Sequence, residues 1–220
     1  HSSPRRQRQM CIRDRFLIQD LQKLLNSIKF GAERIRDLVI SLRNFSHLDE
    51  ADVKPVNIHE IIDSSILILH TCIKEKSDRS QIEIVRNYGN LPQVICQISQ
   101  IHQVFMNLLI NGIDALETMR DKQQEYNRKP TITISTEVTD SETVKIKIHD
   151  NGIGINSQTL SKIFDPFFTT KAVGAGTGLG LSISYSIVVE KHGGNLSCVS
   201  EVGKGTELII EIPIKPRTDN

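Results

Sequence analysis

Apolar residues recur between Phe16 and His47 in alternating steps of four and three: Leu17, Leu21, Leu24, Ile28, Gly31, Ile35, Leu38, Leu42 and Phe45. This heptad stripe weakens only at Gly31 and predicts one long coiled-coil-like helix. Such a stripe needs partner helices to cover it, so a homodimer through residues 16–48, or else a missing neighbouring helix, is expected. An ordinary core helix is the alternative. Acidic residues and a proline between Asp49 and Pro55 break the pattern and place a domain boundary there. Beyond it the period changes. Val56-Asn57-Ile58 predicts a short strand, and His59 to about Lys76 an amphipathic helix. Residues 81–86 and 93–98 predict strands, and Ser99 to about Met119 a helix. Thr131–Glu137 and Thr143–His149 alternate apolar and polar positions around a turn at Thr139-Asp140-Ser141-Glu142. A helix is expected from Thr177 to His192, ended by Gly193-Gly194 as a left-handed C-cap. Leu196–Ser200 and Glu207–Ile214 predict a closing hairpin that turns at Gly203-Lys204-Gly205. Mostly antiparallel strands with helices grouped on one face make an α+β fold, a two-layer α/β sandwich.

The first 15 residues fall outside this patterning. Arg5-Arg6-Gln7-Arg8-Gln9-Met10-Cys11-Ile12-Arg13-Asp14 is arginine-rich with no apolar period. It resembles a translated sequencing adapter and is set aside from the fold; a basic tail for nucleic acid or lipid is the alternative. Setting it aside changes the charge. The whole chain has 27 Lys+Arg against 26 Asp+Glu, whereas residues 16–220 have 22 against 25, a net of −3. No basic surface then remains to attract a nucleic acid. The apolar runs are short, so no membrane contact is expected within these residues, and any anchor lies outside them. Cys72, Cys96 and Cys198 are far apart, with no C-x-x-C pair, as expected of reduced thiols in a cytoplasmic domain. The expected division is therefore 1–15 as tail, 16–50 as helix, 51–216 as the α+β domain and 217–220 as a short end.

Three segments carry candidate chemistry. Asn107, Asn111 and Asp114 fall at i, i+4 and i+7 of the predicted helix and share one face. Carboxamide and carboxylate oxygens are hard ligands suited to Mg²⁺; a solvated helix face is the plain alternative. Asp150-Asn151-Gly152-Ile153-Gly154 follows directly on a strand. Its glycines permit positive φ and close approach of a ligand, and Asp150 can accept a hydrogen bond from an amine. A tight turn also explains Asn-Gly. Gly174, Gly176, Gly178 and Gly180 alternate through Gly174-Ala175-Gly176-Thr177-Gly178-Leu179-Gly180-Leu181 at the start of a helix. A flexible loop leading to free helix amides is what polyphosphate binding requires. No Gly-Lys-Ser/Thr follows, and positions 179, 181 and 183 are Leu, Leu and Ile, which excludes a P-loop and a dinucleotide fingerprint. In Phe164-Asp165-Pro166-Phe167-Phe168-Thr169-Thr170-Lys171 the aromatics can anchor the base of a lid and Lys171 can reach a phosphate; core packing explains the aromatics equally.

In this order, the segments resemble the ATP-binding catalytic domain of sensor histidine kinases, of the GHKL type shared with type II topoisomerases, mismatch-repair ATPases and a heat-shock chaperone. The resemblance covers about residues 53–215. More loosely, residues 16–50 are similar to the second helix of the dimerisation and histidine-phosphotransfer domain. It implies that Asn111 chelates Mg²⁺ and that Asn107 and Lys171 act at the phosphates of ATP. Asp150 would read the adenine amine, Gly152 and Gly154 would shape the base pocket, and Thr206 would sit near the adenine. Gly174, Gly176, Thr177, Gly178, Leu179 and Gly180 would form the lid hinge and phosphate cradle. The implied activity is transfer of the ATP γ-phosphoryl to a histidine, for relay to an aspartate on a response regulator receiver domain.

Departures from the family pattern refine this. Hydrolytic GHKL members carry a glutamate four residues before the metal asparagine; here Asn107, a poor general base, stands there. That favours transfer to a protein over an ATPase or chaperone-type clamp, and the heptad helix disfavours an anti-sigma-factor-type serine kinase. Gly112 occupies a position that is usually alanine. His47-Leu48-Asp49-Glu50 lacks an adjacent acid and a proline in register, so the phosphoacceptor histidine is expected on a helix upstream of Phe16.

Overall fold

The computed structural model describes residues 53–74, 82–121, 128–139, 142–171 and 176–216. The predicted helix over 16–50, the tail 1–15 and the end 217–220 lie outside them. The chain divides into two compact units, 1–46 with 170–177 and 47–169 with 178–220. The fold below is that of the second.

Strand β1 (Val53–Val56) leads into helix α1 (Ile58–Lys74). The predicted strand 56–58 is thus displaced toward the N-terminus. Asn57 is the cause: its Oδ1 accepts from the His59 amide at 3.0 Å and its Nδ2 donates to Glu60 at 3.2 Å, which begins the helix instead. Strands β2 (Glu83–Tyr88) and β3 (Val94–Gln97) precede helix α2 (Ile98–Asp121). Then come β4 (Thr131–Thr139) and β5 (Thr143–Asp150), close to their predicted limits. A short helix, α3 (Ser157–Leu160), was not anticipated; Asn156 caps it by accepting from the Thr159 amide at 2.8 Å. Helix α4 (Gly180–Tyr185) continues as a π-helical turn through Lys191, and β6 (Asn195–Glu201) and β7 (Gly205–Pro213) close the chain.

Helix α4 starts at Gly180 rather than Thr177 because Gly178 has φ +67°, which is not helical. Its end matches the expectation, with Gly193 at φ +61°. In the widened turn His192 Nδ1 lies 2.8 Å from the Ile187 carbonyl, to which it donates, so Nε2 is free to accept from the Gln97 amide at 3.3 Å. One ring thereby ties the helix end to β3.

The main sheet has the order β2-β4-β5-β7-β6; β2 and β4 are parallel and the other neighbours antiparallel. A two-stranded sheet pairs β1 with β3. On β5, Val144, Ile146, Ile148 and Asp150 are buried and alternate with half-buried Lys145, Lys147 and His149, as a sheet with one covered face demands. Helix α2 covers that face with Ile101, Val104, Phe105, Leu108, Leu109, Leu116 and Met119, all buried. Each such side chain contributes roughly 1.5–3 kcal/mol. Asp150 is the exception that ends an otherwise apolar row, and it marks the site.

Candidate functional site

One face of α2 stays only half-buried, at Gln103, Asn107, Asn111, Asp114 and Ala115. The other faces lock into the core, which fixes this row's direction. Near its start, Asn107 Nδ2 donates to the Gly180 carbonyl at 3.0 Å and to Ser184 Oγ at 3.2 Å, joining α2 to α4. Gly180 packs on the same side chain, since an added Cβ would stand 3.6 Å from the Asn107 amide carbon. Near its end, Gly112 and Ala115 meet the loop after β5. A Cβ at Gly112 would stand 3.6 Å from that of Asp150, and one at Gly152 would come within 2.9 Å of the Ala115 Cβ. The eight helical steps from Asn107 to Ala115 span about 12 Å. Along that length α2 touches both glycine-bearing segments.

Asp150 is 5% exposed. Burial pushes its carboxyl up to about 6, against the pull of amides including those of Gly152 and Thr206. The Gly152 amide donates to Oδ1 at 2.9 Å. Buried Thr206, its partner across β5–β7, shares a 2.9 Å hydrogen bond with Ser200. Gly154 has φ +71° and passes so close to the Glu201 carbonyl that any side chain would collide with it. The turn at Gly203 is joined to this loop by the Gly203 amide donating to Ile153 at 2.7 Å. A carboxylate, two glycine turns and a helix edge are thus gathered at one end of α2.

Gly178 closes against the Phe167 backbone, where a side chain would collide. Phe167 itself has φ +66° and is 74% exposed. The Phe-Asp-Pro-Phe-Phe segment and the start of α4 therefore pinch the two ends of the intervening loop together. Of that loop, Gly174 lies outside the described residues, and Lys171, Gly176 and Thr177 belong to the other compact unit.

The Asn111 side chain, half-buried on the row between Asn107 and Ala115, makes no hydrogen bond to protein among the described residues. No cluster of three His, Cys, Asp or Glu side chains suits a metal among the described residues. That donor set fits Mg²⁺ arriving with phosphates and waters, and does not fit a metal caged by protein alone.

Two neighbouring residues make contacts that the sequence did not signal. Asn151 accepts from the Thr131 amide and donates to the Lys129 carbonyl, both at 2.9 Å. Arg128 donates to the carbonyls of Gly152 at 2.9 Å and Gly203 at 2.8 Å. Backbone acceptors leave no trace in sequence, so only the fold reveals them.

Known proteins match this geometry. Residues 96–216 fit the model of the histidine kinase-, DNA gyrase B-, and HSP90-like ATPases. Sensor kinase CckA of Brucella abortus is 32% identical over 192 residues, which are 85% of this chain. The chain spans only 20% of that relative's length. The solved catalytic domain of histidine kinase ThkA superposes with a TM-score of 0.61 at 29% identity, over 75% of this chain and 97% of that one. ThkA solved in complex with the response regulator protein TrrA has a TM-score of 0.66 at 24% identity, over 90% of this chain and 53% of that one, a likeness of fold. By its segments, its sheet and its kin, the chain belongs to the family of histidine kinase-, DNA gyrase B- and HSP90-like ATPases.

Proposed function

We propose that this chain is the catalytic part of a sensor histidine kinase, which binds ATP along α2 and passes the γ-phosphoryl to a histidine. The observation that carries this reading is the meeting of α2 with both glycine segments, Asp150 and Gly152 at one end and Gly180 at the other. Asp150 accepts from the adenine amine, in a buried setting where an unmatched base leaves the carboxylate one donor short. Gly152, Gly154 and Thr206 border the base. At the other end, Asn111 contributes a carboxamide oxygen to Mg²⁺, and Asn107 holds α4 beside the phosphates. The metal supplies charge neutralisation on the phosphate oxygens. Gly178, Leu179 and Gly180 border the phosphates at the start of α4, and the family resemblance alone gives Lys171, Gly174, Gly176 and Thr177 the role of lid and cradle. The Asn107 amide is committed to Gly180 and Ser184. Its remaining oxygen is a poor base for water, which supports transfer to protein over hydrolysis.

The receiving histidine lies on another helix, and the phosphoryl passes on to a response regulator aspartate. CckA bears the name of a sensor kinase, and ThkA was solved with a response regulator; both support this order. Pairing through residues 16–48 makes the kinase a homodimer. It works in the cytoplasm, and no helix among the described residues is long and apolar enough to cross a membrane. The test mixes this protein with a histidine-bearing phosphotransfer domain and γ-labelled ATP. Acid-labile, base-stable label on that domain is expected. Steady ATP hydrolysis with no labelled protein contradicts the kinase reading and favours a clamp-type ATPase.

A further inference from the structure

Two glycine turns meet beside Asp150, one at Gly152–Gly154 and one at Gly203–Gly205. They approach so closely that side chains at Gly154 or Gly205 would collide with the carbonyls of Glu201 and Asp150. Such contact brings backbone carbonyl oxygens together, and buried carbonyls need donors. The Gly152 and Gly203 carbonyls converge on one nitrogen, Nη2 of Arg128, at 2.9 and 2.8 Å. Arg128 lies 24 residues from one acceptor and 75 from the other, just before β4. A charged donor held by two such bonds is a strong brace. The braced turn also presents the Gly152 amide to Asp150 Oδ1 at 2.9 Å, which sets the rotation of the carboxylate.

We infer that Arg128 is a positioning residue for base selection, bracing the two turns so that the Asp150 carboxylate meets an amine-bearing base squarely. The inference rests on the nucleotide reading above and deepens it. Without the brace, the Gly152 turn relaxes, the carboxylate loses its fixed orientation, and adenine loses its advantage over guanine, which has a carbonyl where adenine has the amine. Asn107, where α2 meets Gly180, lies eight residues before Ala115 and takes no part in the brace.

Calorimetric titration of wild-type protein, Arg128→Gln and Arg128→Lys with Mg²⁺-ATP and Mg²⁺-GTP tests this. Arg128→Gln is expected to weaken ATP about tenfold while GTP stays within twofold, the scale of losing charged hydrogen bonds. Arg128→Lys keeps a charged donor with shorter reach and is expected to narrow the ATP preference about threefold, between the other two. If Arg128→Gln fails to fold, the lysine variant decides, and an unchanged preference in it overturns the inference. Folded Arg128→Gln with wild-type ATP preference, or with ATP and GTP weakened in equal proportion, overturns it while wild-type ATP binding leaves the nucleotide reading standing. Wild-type protein that binds no ATP overturns both.

Discussion

At the scale of single residues, Asp150 carries a clear electrostatic cost within the fold. Its carboxyl sits at about 6 instead of 3.8, chiefly because burial penalises the charge. The native state therefore holds this proton more tightly than the unfolded chain does. The associated stability is present below about pH 4 and is lost as pH rises through about 6. Above that range the penalty amounts to about 3 kcal/mol. Asp150→Asn removes the charge and is expected to raise ligand-free stability at pH 8 while weakening ATP. Urea denaturation at pH 4 and pH 8 checks this; an equal effect at both contradicts the burial argument. Gly112 runs the other way. An added methyl would lie 3.5 Å from Ile132 Cδ1 and 3.6 Å from Asp150 Cβ, ordinary contact distances. Gly112→Ala should therefore stabilise by about 1 kcal/mol through helix propensity, and a lowered denaturation midpoint contradicts it. The asparagine row and Asp150 were legible in the sequence as polar side chains at helical spacing and at a strand end. Arg128 was not, because the atoms it holds are glycine carbonyls distant along the chain.

At the scale of elements, the site depends on how α4 begins. Its first residue is fastened to α2 through Asn107, and the residue two before it is pressed against Phe167. Asn107→Ala loses the bonds to Gly180 and Ser184 and is expected to cost about 1–2 kcal/mol in chemical denaturation. Undiminished stability would show that the link is idle. Gly178→Ala meets both a φ of +67° and the Phe167 backbone. It should lose about 2 kcal/mol or more, and an unchanged melting temperature contradicts the pinch. Period-two alternation made β4, β5 and β7 readable, because one face of the sheet is covered and the other is not. The start of α4 misled: its glycines read as loop and helix equally, and only Gly178's left-handed backbone separates them. Helix α3 is four residues long, too short for any period, and its cap at Asn156 was the one available sign.

At the scale of the molecule, a sheet with one apolar face is roofed by α2, and the roof's outer edge becomes the wall of a site. The same helix supplies Phe105 to the core and Asn111 to the half-buried row, so the core and the proposed site share one element. The order of the boxes along the sequence was enough to anticipate the α+β sandwich. The contacts that bring their ends together, Gly112 with Asp150 and Gly180 with Asn107, needed the fold. Titration of the purified chain with ATP, in the presence and absence of Mg²⁺ and repeated for Asn111→Ala, tests the central claim most directly. Saturable one-to-one binding between about 1 μM and 1 mM, the usual range for such substrates, is predicted with Mg²⁺. It should be lost without the metal or with the variant. Absence of saturable ATP binding in the wild-type protein, or full retention of it by Asn111→Ala, contradicts the account.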